Sequence, residues 1–138
     1  MTLLGNLEAG TGTFGRIEPG GRITWFRLSS PQVARAGLLH IAFDPPGAPP
    51  AAWLLSSTVT SPNMPDAVIR VVFDAKLTKI VSESVAALPT QQCKAHRLLP
   101  VRDGVLVTEL TSATVARLDT PRGVARQRPV TLKPADPA

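Results

Sequence analysis

A chain of 138 residues, 43 % hydrophobic and 18 % charged, is one domain's worth of sequence, apolar enough to bury a core and too apolar to stay disordered. The single cysteine, Cys93, excludes an internal disulfide, and no apolar run reaches the roughly 18 to 20 residues of a membrane-crossing helix. The formal charge of +5 comes from 15 Lys and Arg against 10 Asp and Glu, which permits nucleic acid or an acidic partner and demands neither.

Taken in chain order, residues 1–21 are rich in Gly and Thr and read as an N-terminal arm or edge strand. A strand is expected near Thr13–Ile17 and a turn at Pro19-Gly20-Gly21. This segment shows neither a basic leader nor a sustained apolar stretch of the secretory kind. A β domain is expected over 22–119. Arg22–Leu28, with Ile23, Trp25, Phe26 and Leu28, has a strong β composition. Leu38–Phe43 alternates with Leu39, Ile41 and Phe43 on one face, and both of its faces are apolar enough to be covered. The run DPPGAPP over 44–50 ends it, because proline lacks the ladder donor. Trp53–Thr60 and Val68–Phe73 are the next strands; Ile69, Val71 and Phe73 share a face and, like Leu39, Ile41 and Phe43, are expected to face the main core.

Ala75–Leu88 reads differently. Leu77, Ile80, Val81, Val85 and Leu88 recur at helical spacing, with Asp74 placed to cap and Pro89 to stop. The spacing predicts one short helix over about 75–88; a pair of short strands is the alternative, favoured by the β-branched side chains. His96–Val101 and Val105–Leu110 flank Asp103-Gly104, a hairpin turn signal. Thr114–Leu118 is a further strand. A basic, proline-containing C-terminal segment over 120–138 completes the chain, with Val130–Leu132 as a last edge strand or an extended tail. The fold expected is mainly β: an antiparallel sandwich or jelly-roll-like barrel with extended termini.

Motifs of catalysis are sparse. Cys93 and His96 give C-x-x-H, half of a zinc ligand set, and His40 is the only other histidine. A Cys93–His96 nucleophilic pair ranks below an ordinary loop thiol beside a surface histidine. Gly10, Gly12 and Gly15 match G-x-G-x-x-G, but Arg16-Ile17-Glu18-Pro19 cannot open the helix that dinucleotide binding requires. The acidic residues are scattered, and Asp44, Asp66, Asp74, Asp103 and Asp119 each suit a turn or a cap. No catalytic residue, metal or cofactor is expected.

Two readings of function follow. The first is a non-enzymatic structural or assembly subunit, a homo-oligomer or part of a larger assembly, cytoplasmic or within a particle and without membrane contact. Here the termini lie against neighbouring chains through scattered apolar anchors: Leu3, Leu4 and Phe14 at one end, Val130 and Leu132 at the other. Coat, decoration and tail proteins of viruses and phages belong to this class. The stretch Ala36-Gly37-Leu38-Leu39-His40-Ile41-Ala42-Phe43-Asp44-Pro45-Pro46 resembles a strand-and-loop passage of small viral jelly-roll coat proteins, although the chain lacks their strongly basic N-terminal arm. The second reading is a small nucleic-acid-binding β module. Its contacts would be Arg117, Arg122, Arg126, Arg128 and Lys133, a cluster that only Asp119 interrupts. No aromatic stacking platform accompanies that cluster.

Overall fold

A computed structural model describes residues 2–5, 10–44, 49–119 and 126–131. These form eleven β-strands, and every pairing within a sheet is antiparallel: β1 (Thr2–Gly5), β2 (Thr13–Ile17), β3 (Ile23–Arg27), β4 (Leu38–Phe43), β5 (Ala51–Ser56), β6 (Ala67–Phe73), β7 (Ile80–Ala87), β8 (Ala95–Val101), β9 (Gly104–Glu109), β10 (Thr114–Asp119) and β11 (Arg126–Thr131). They make three meanders: an N-terminal sheet β1-β2-β3, a central sheet β4-β5-β6-β7 and a C-terminal sheet β8-β9-β10-β11. Among the described residues no helix is long and apolar enough to cross a membrane.

The central sheet packs against a core on each face, and the alternation along β5 and β6 shows how. Ala52, Leu54, Ala67, Ile69, Val71 and Phe73 enter a first core with Phe14, Phe26, Leu28, Val33, Ala36 and Leu38. Trp53, Leu55 and Val68 point the other way, into a second core with Leu88, Cys93, Ala95, Leu98, Val105, Val107, Ala116 and Leu118. The period-2 geometry of a strand thus serves two cores from one sheet, and β5 is buried along its whole length. The first core holds the aromatic cluster, with Phe14 stacked on Phe26 at 5.1 Å and Phe73 edge-on to both.

The all-β class and the sandwich-type packing match the expectation, and the Asp103-Gly104 turn connects β8 to β9 with Asp103 at φ 59°. The expected helix over 75–88 is instead the β6–β7 turn followed by β7. Asp74 caps that turn, accepting from the Thr78 and Lys79 backbone N–H groups. Phe73 and Ile80 face each other across a bulge, which lets Leu77, Ile80 and Val85 all reach the first core without a helical turn. The stiff side chains Ile80, Val81 and Val85 suit the strand, and β6 supplies a template that local spacing does not reveal.

One other expectation is corrected. A bulge between Leu38 and His40 breaks the alternation of β4, so Ile41 packs on the first core, Leu39 on the second, and Phe43 stays 40 % exposed. Where the two ends are described, the edge-strand alternative holds. β1 pairs with β2, and β11 pairs with β10, each within the chain's own sheets.

Candidate functional site

The polar groups of this fold fall into a buried junction and two outer faces. The junction lies where the 57–60 loop, the start of β6 and the 91–95 segment meet between the central and C-terminal sheets. Asp66 is fully buried. Its carboxylate accepts from the backbone N–H groups of Thr58 at 2.9 Å, Cys93 at 3.1 Å and Ala95 at 3.2 Å, and from the Thr58 hydroxyl. Thr58 Oγ1 in turn accepts from Lys94 N–H at 3.0 Å. The Gln91 side chain holds the Asp66 backbone on both sides, accepting from its N–H and donating to its carbonyl. Ser57 donates to the Ala95 carbonyl. A carboxylate whose lone pairs are filled by fixed main-chain donors is a clasp rather than a proton acceptor for substrate.

Cys93 sits in the second core beside this clasp. Burial pushes its thiol up to about 12, and the Asp66 and Glu109 carboxylates add to the shift. The thiolate needed for nucleophilic or metal chemistry is thereby disfavoured. His40 is held differently: its Nδ1 accepts from Leu98 N–H at 2.9 Å, which requires the neutral ring with its proton on Nε2. Burial, with Arg97 and His96 nearby, lowers its pKa. Cys93 and His96 share sequence proximity but different environments, the first in the core and the second half-buried on β8. Among the described residues no three His, Cys, Asp or Glu side chains come together as a metal-ligand set.

Most of the remaining carboxylates also have structural work. Asp44 joins the Trp53 indole N–H to Arg70, each at 2.7 Å. Glu83 accepts from Ser29 N–H and Ser30 N–H, tying the exit of β3 to β7. Glu18 closes the β2–β3 turn with Arg22 and Thr24. Glu109 is buried, with one oxygen receiving the Ser112 and Thr114 hydroxyls. Its Oε1 is the one buried side-chain oxygen or nitrogen without a partner among the described residues.

The outer faces carry what the interior does not explain. On the N-terminal sheet, β3 alternates so that Phe26 is buried while Trp25 remains 59 % and Ile23 37 % exposed. Both lie over Gly15: a Cβ there would stand 2.7 Å from Ile23 Cγ2 and 3.2 Å from the Trp25 ring. Of Trp25, Phe26 and Trp53, the fold buries Phe26 and Trp53 and leaves Trp25 outside. On the C-terminal sheet, Leu99 is 59 % exposed, and the ladder places Leu99, Leu106, Arg117 and Arg128 side by side across the four strands.

The expected basic cluster is therefore partly assembled. Arg117 pairs with Asp119 and donates to the Arg102 carbonyl at 3.2 Å. β11 sets Arg128 opposite Arg117 and Arg126 opposite Asp119. Exposed Arg97 on β8 and Arg102 in the β8–β9 turn belong to the same sheet, an addition that only strand pairing reveals. Arg122 and Lys133 lie outside the described residues. Of the expected apolar anchors, Phe14 is wholly buried in the first core and Leu3 packs against it. Leu4 stands opposite Gly15 and Val130 opposite Val115; Leu132 lies outside the described residues. Phe14 is thus a core residue, because β2 turns that face onto the central sheet.

No protein-family model, curated protein or solved structure matches this chain.

Proposed function

We propose that this chain is a non-enzymatic structural subunit of an assembly, meeting its neighbours through the outer faces of its N-terminal and C-terminal sheets. The observation that carries this reading is the apolar exposure on those faces, Trp25 with Ile23 on one and Leu99 on the other. Large apolar side chains held on the outside of a well-packed β stack gain burial only when another surface receives them, and tryptophan and arginine are the residues that anchor such contacts. The clasped Asp66, the suppressed Cys93 thiol and the neutral, hydrogen-bonded His40 support a structural over a catalytic role. Coat, decoration and tail components of virus or phage particles are the kind of subunit this reading places it among. β1 and β11, paired within the chain's own sheets, belong to the same two outer sheets on which this reading places the contacts.

The test is solution size across a concentration series for the parent, Trp25→Glu and Leu99→Glu. The parent is expected to associate, and at least one of the two variants to dissociate with an unchanged circular dichroism spectrum. A monodisperse parent monomer at high concentration rejects the reading. A second reading, nucleic-acid binding by the C-terminal sheet, draws support from the register that sets Arg128 against Arg117. It predicts binding that weakens steeply with salt and weakens again in Arg117→Ala.

A further inference from the structure

Each sheet of this fold ends in two edge strands, and edges left open are templates for another strand. Each carries something that discourages pairing. β1 is only four residues long. β3 is five residues long and contains Arg27. β4 has a bulge at its start and contains His40. β8 holds Arg97, Pro100 and a bulge, and β11 holds Arg126, Arg128 and Pro129.

β7 carries the least protection, with exposed Lys79 just before it and a bulge only at its first residue. It has eight residues, Ile80-Val81-Ser82-Glu83-Ser84-Val85-Ala86-Ala87, without Lys, Arg, His or Pro. Its one charge, Glu83, is turned onto the Ser29 and Ser30 N–H groups. Its single irregularity lies at the Ile80 end, and from Ser82 to Ala87 its register with β6 is continuous. Val81, at the bulge, is 56 % exposed. Among the described residues β6 is the only strand that β7 pairs with.

We propose that β7 pairs antiparallel with β7 of a second copy, about a two-fold axis at Ser84, joining two four-stranded central sheets into one. This rests on the assembly reading and names one of its contacts. An antiparallel edge complements itself under a two-fold, so a second copy needs no pocket and no dedicated sequence. The contact must bring together two chains of net charge +5, and β7 is the long edge that contributes no positive charge. An axis at Glu83 or at Ser84 pairs the most of Ile80–Ala87, and Glu83 decides between the two. An axis at Glu83 would set two carboxylates directly opposite, which is unfavourable. An axis at Ser84 sets hydroxyl against hydroxyl and Glu83 against the apolar Val85.

The register makes the test specific. Residues directly opposite in an antiparallel pair have Cα atoms about 4.5–5.5 Å apart, within the range a disulfide spans. Ser84→Cys should therefore link two chains covalently under a mild oxidant. Ser82→Cys faces position 86 of the other chain, so its two copies lie roughly 14 Å apart along the strand and should stay unlinked. The parent chain, whose only thiol is the buried Cys93, should give no linked product. Failure of Ser84→Cys to link, or equal linking by Ser82→Cys, overturns this pairing. If the parent still associates in solution, the assembly reading survives that result; a parent that is monomeric at every concentration removes both.

Discussion

At the scale of single residues, Asp66 is the polar group on which the junction between the central and C-terminal sheets depends. It spends its charge on main-chain N–H groups from two loops, bonds stronger than neutral ones because the acceptor is ionised. Asp66→Asn keeps the size but offers one carbonyl oxygen and an amide that is itself a donor, so at least one of the Thr58, Cys93 and Ala95 N–H groups is left facing another donor. Each unsatisfied buried group costs about 1–3 kcal/mol, and denaturant unfolding should show a loss of at least that size. Cys93, adjacent to the clasp and sheltered by it, should become reactive to a thiol reagent in the variant well before the parent. An unchanged midpoint together with an unchanged labelling rate would remove Asp66 from this role. Asp66 was legible as a turn residue. Its burial was not, because nothing local distinguishes an Asp that ends a loop in solvent from one that receives the main chain of a segment 27 residues away.

At the scale of elements, β4 and β8 are joined across the sheet interface by Leu98 N–H donating to His40 Nδ1. The bond exists only with the imidazole neutral, and the folded state lowers its pKa from 6.5, chiefly by burial. Between the folded and unfolded pKa values the unfolded chain binds the extra proton, so stability rises with pH across that window. The contribution is complete above about pH 6.5 and is lost as the pH falls through the folded value. His40→Gln, whose side-chain carbonyl can accept the same N–H, should flatten the stability profile in that window. A parent profile with no slope between pH 7 and 5 would show that the ring does not titrate with folding. β7 shows why an element can be misread. The apolar spacing over 77–88 fits a helix, while a bulged strand paired with β6 meets the same burial. Backbone pairing with β6 decides between them, and that partner does not appear in a window of one element.

At the scale of the whole molecule, the central sheet is the common wall of two cores, so the layers should not unfold separately. Phe73 lies in the first core against Phe14 and Phe26, while Trp53 reports on the second. Phe73→Ala should cost about 3–5 kcal/mol, the transfer of the ring plus the cavity it leaves. In a Trp25→Phe background, Trp53 fluorescence and far-ultraviolet circular dichroism should shift to the same lower midpoint. Separate midpoints, or a loss below about 1 kcal/mol, would mean that the two cores are independent or that Phe73 is not in the wall.

Sequence by itself determined the β class, the turns at Pro19-Gly20-Gly21 and Asp103-Gly104, and the face shared by Ile69, Val71 and Phe73. Each of these depends on neighbours within a few residues: side-chain alternation of period 2 and the backbone preferences of Gly, Pro and Asp. Tertiary structure alone decided that three meanders stack into two cores, that Phe14 is buried while Trp25 on the paired strand is not, and that Arg97 and Arg102 join the Arg117 sheet. Ile23-Thr24-Trp25-Phe26-Arg27 presents apolar side chains to both faces, so its pattern permits either to be covered. Which face goes inside is set by the sheet that packs against it, through contacts between residues far apart in the chain.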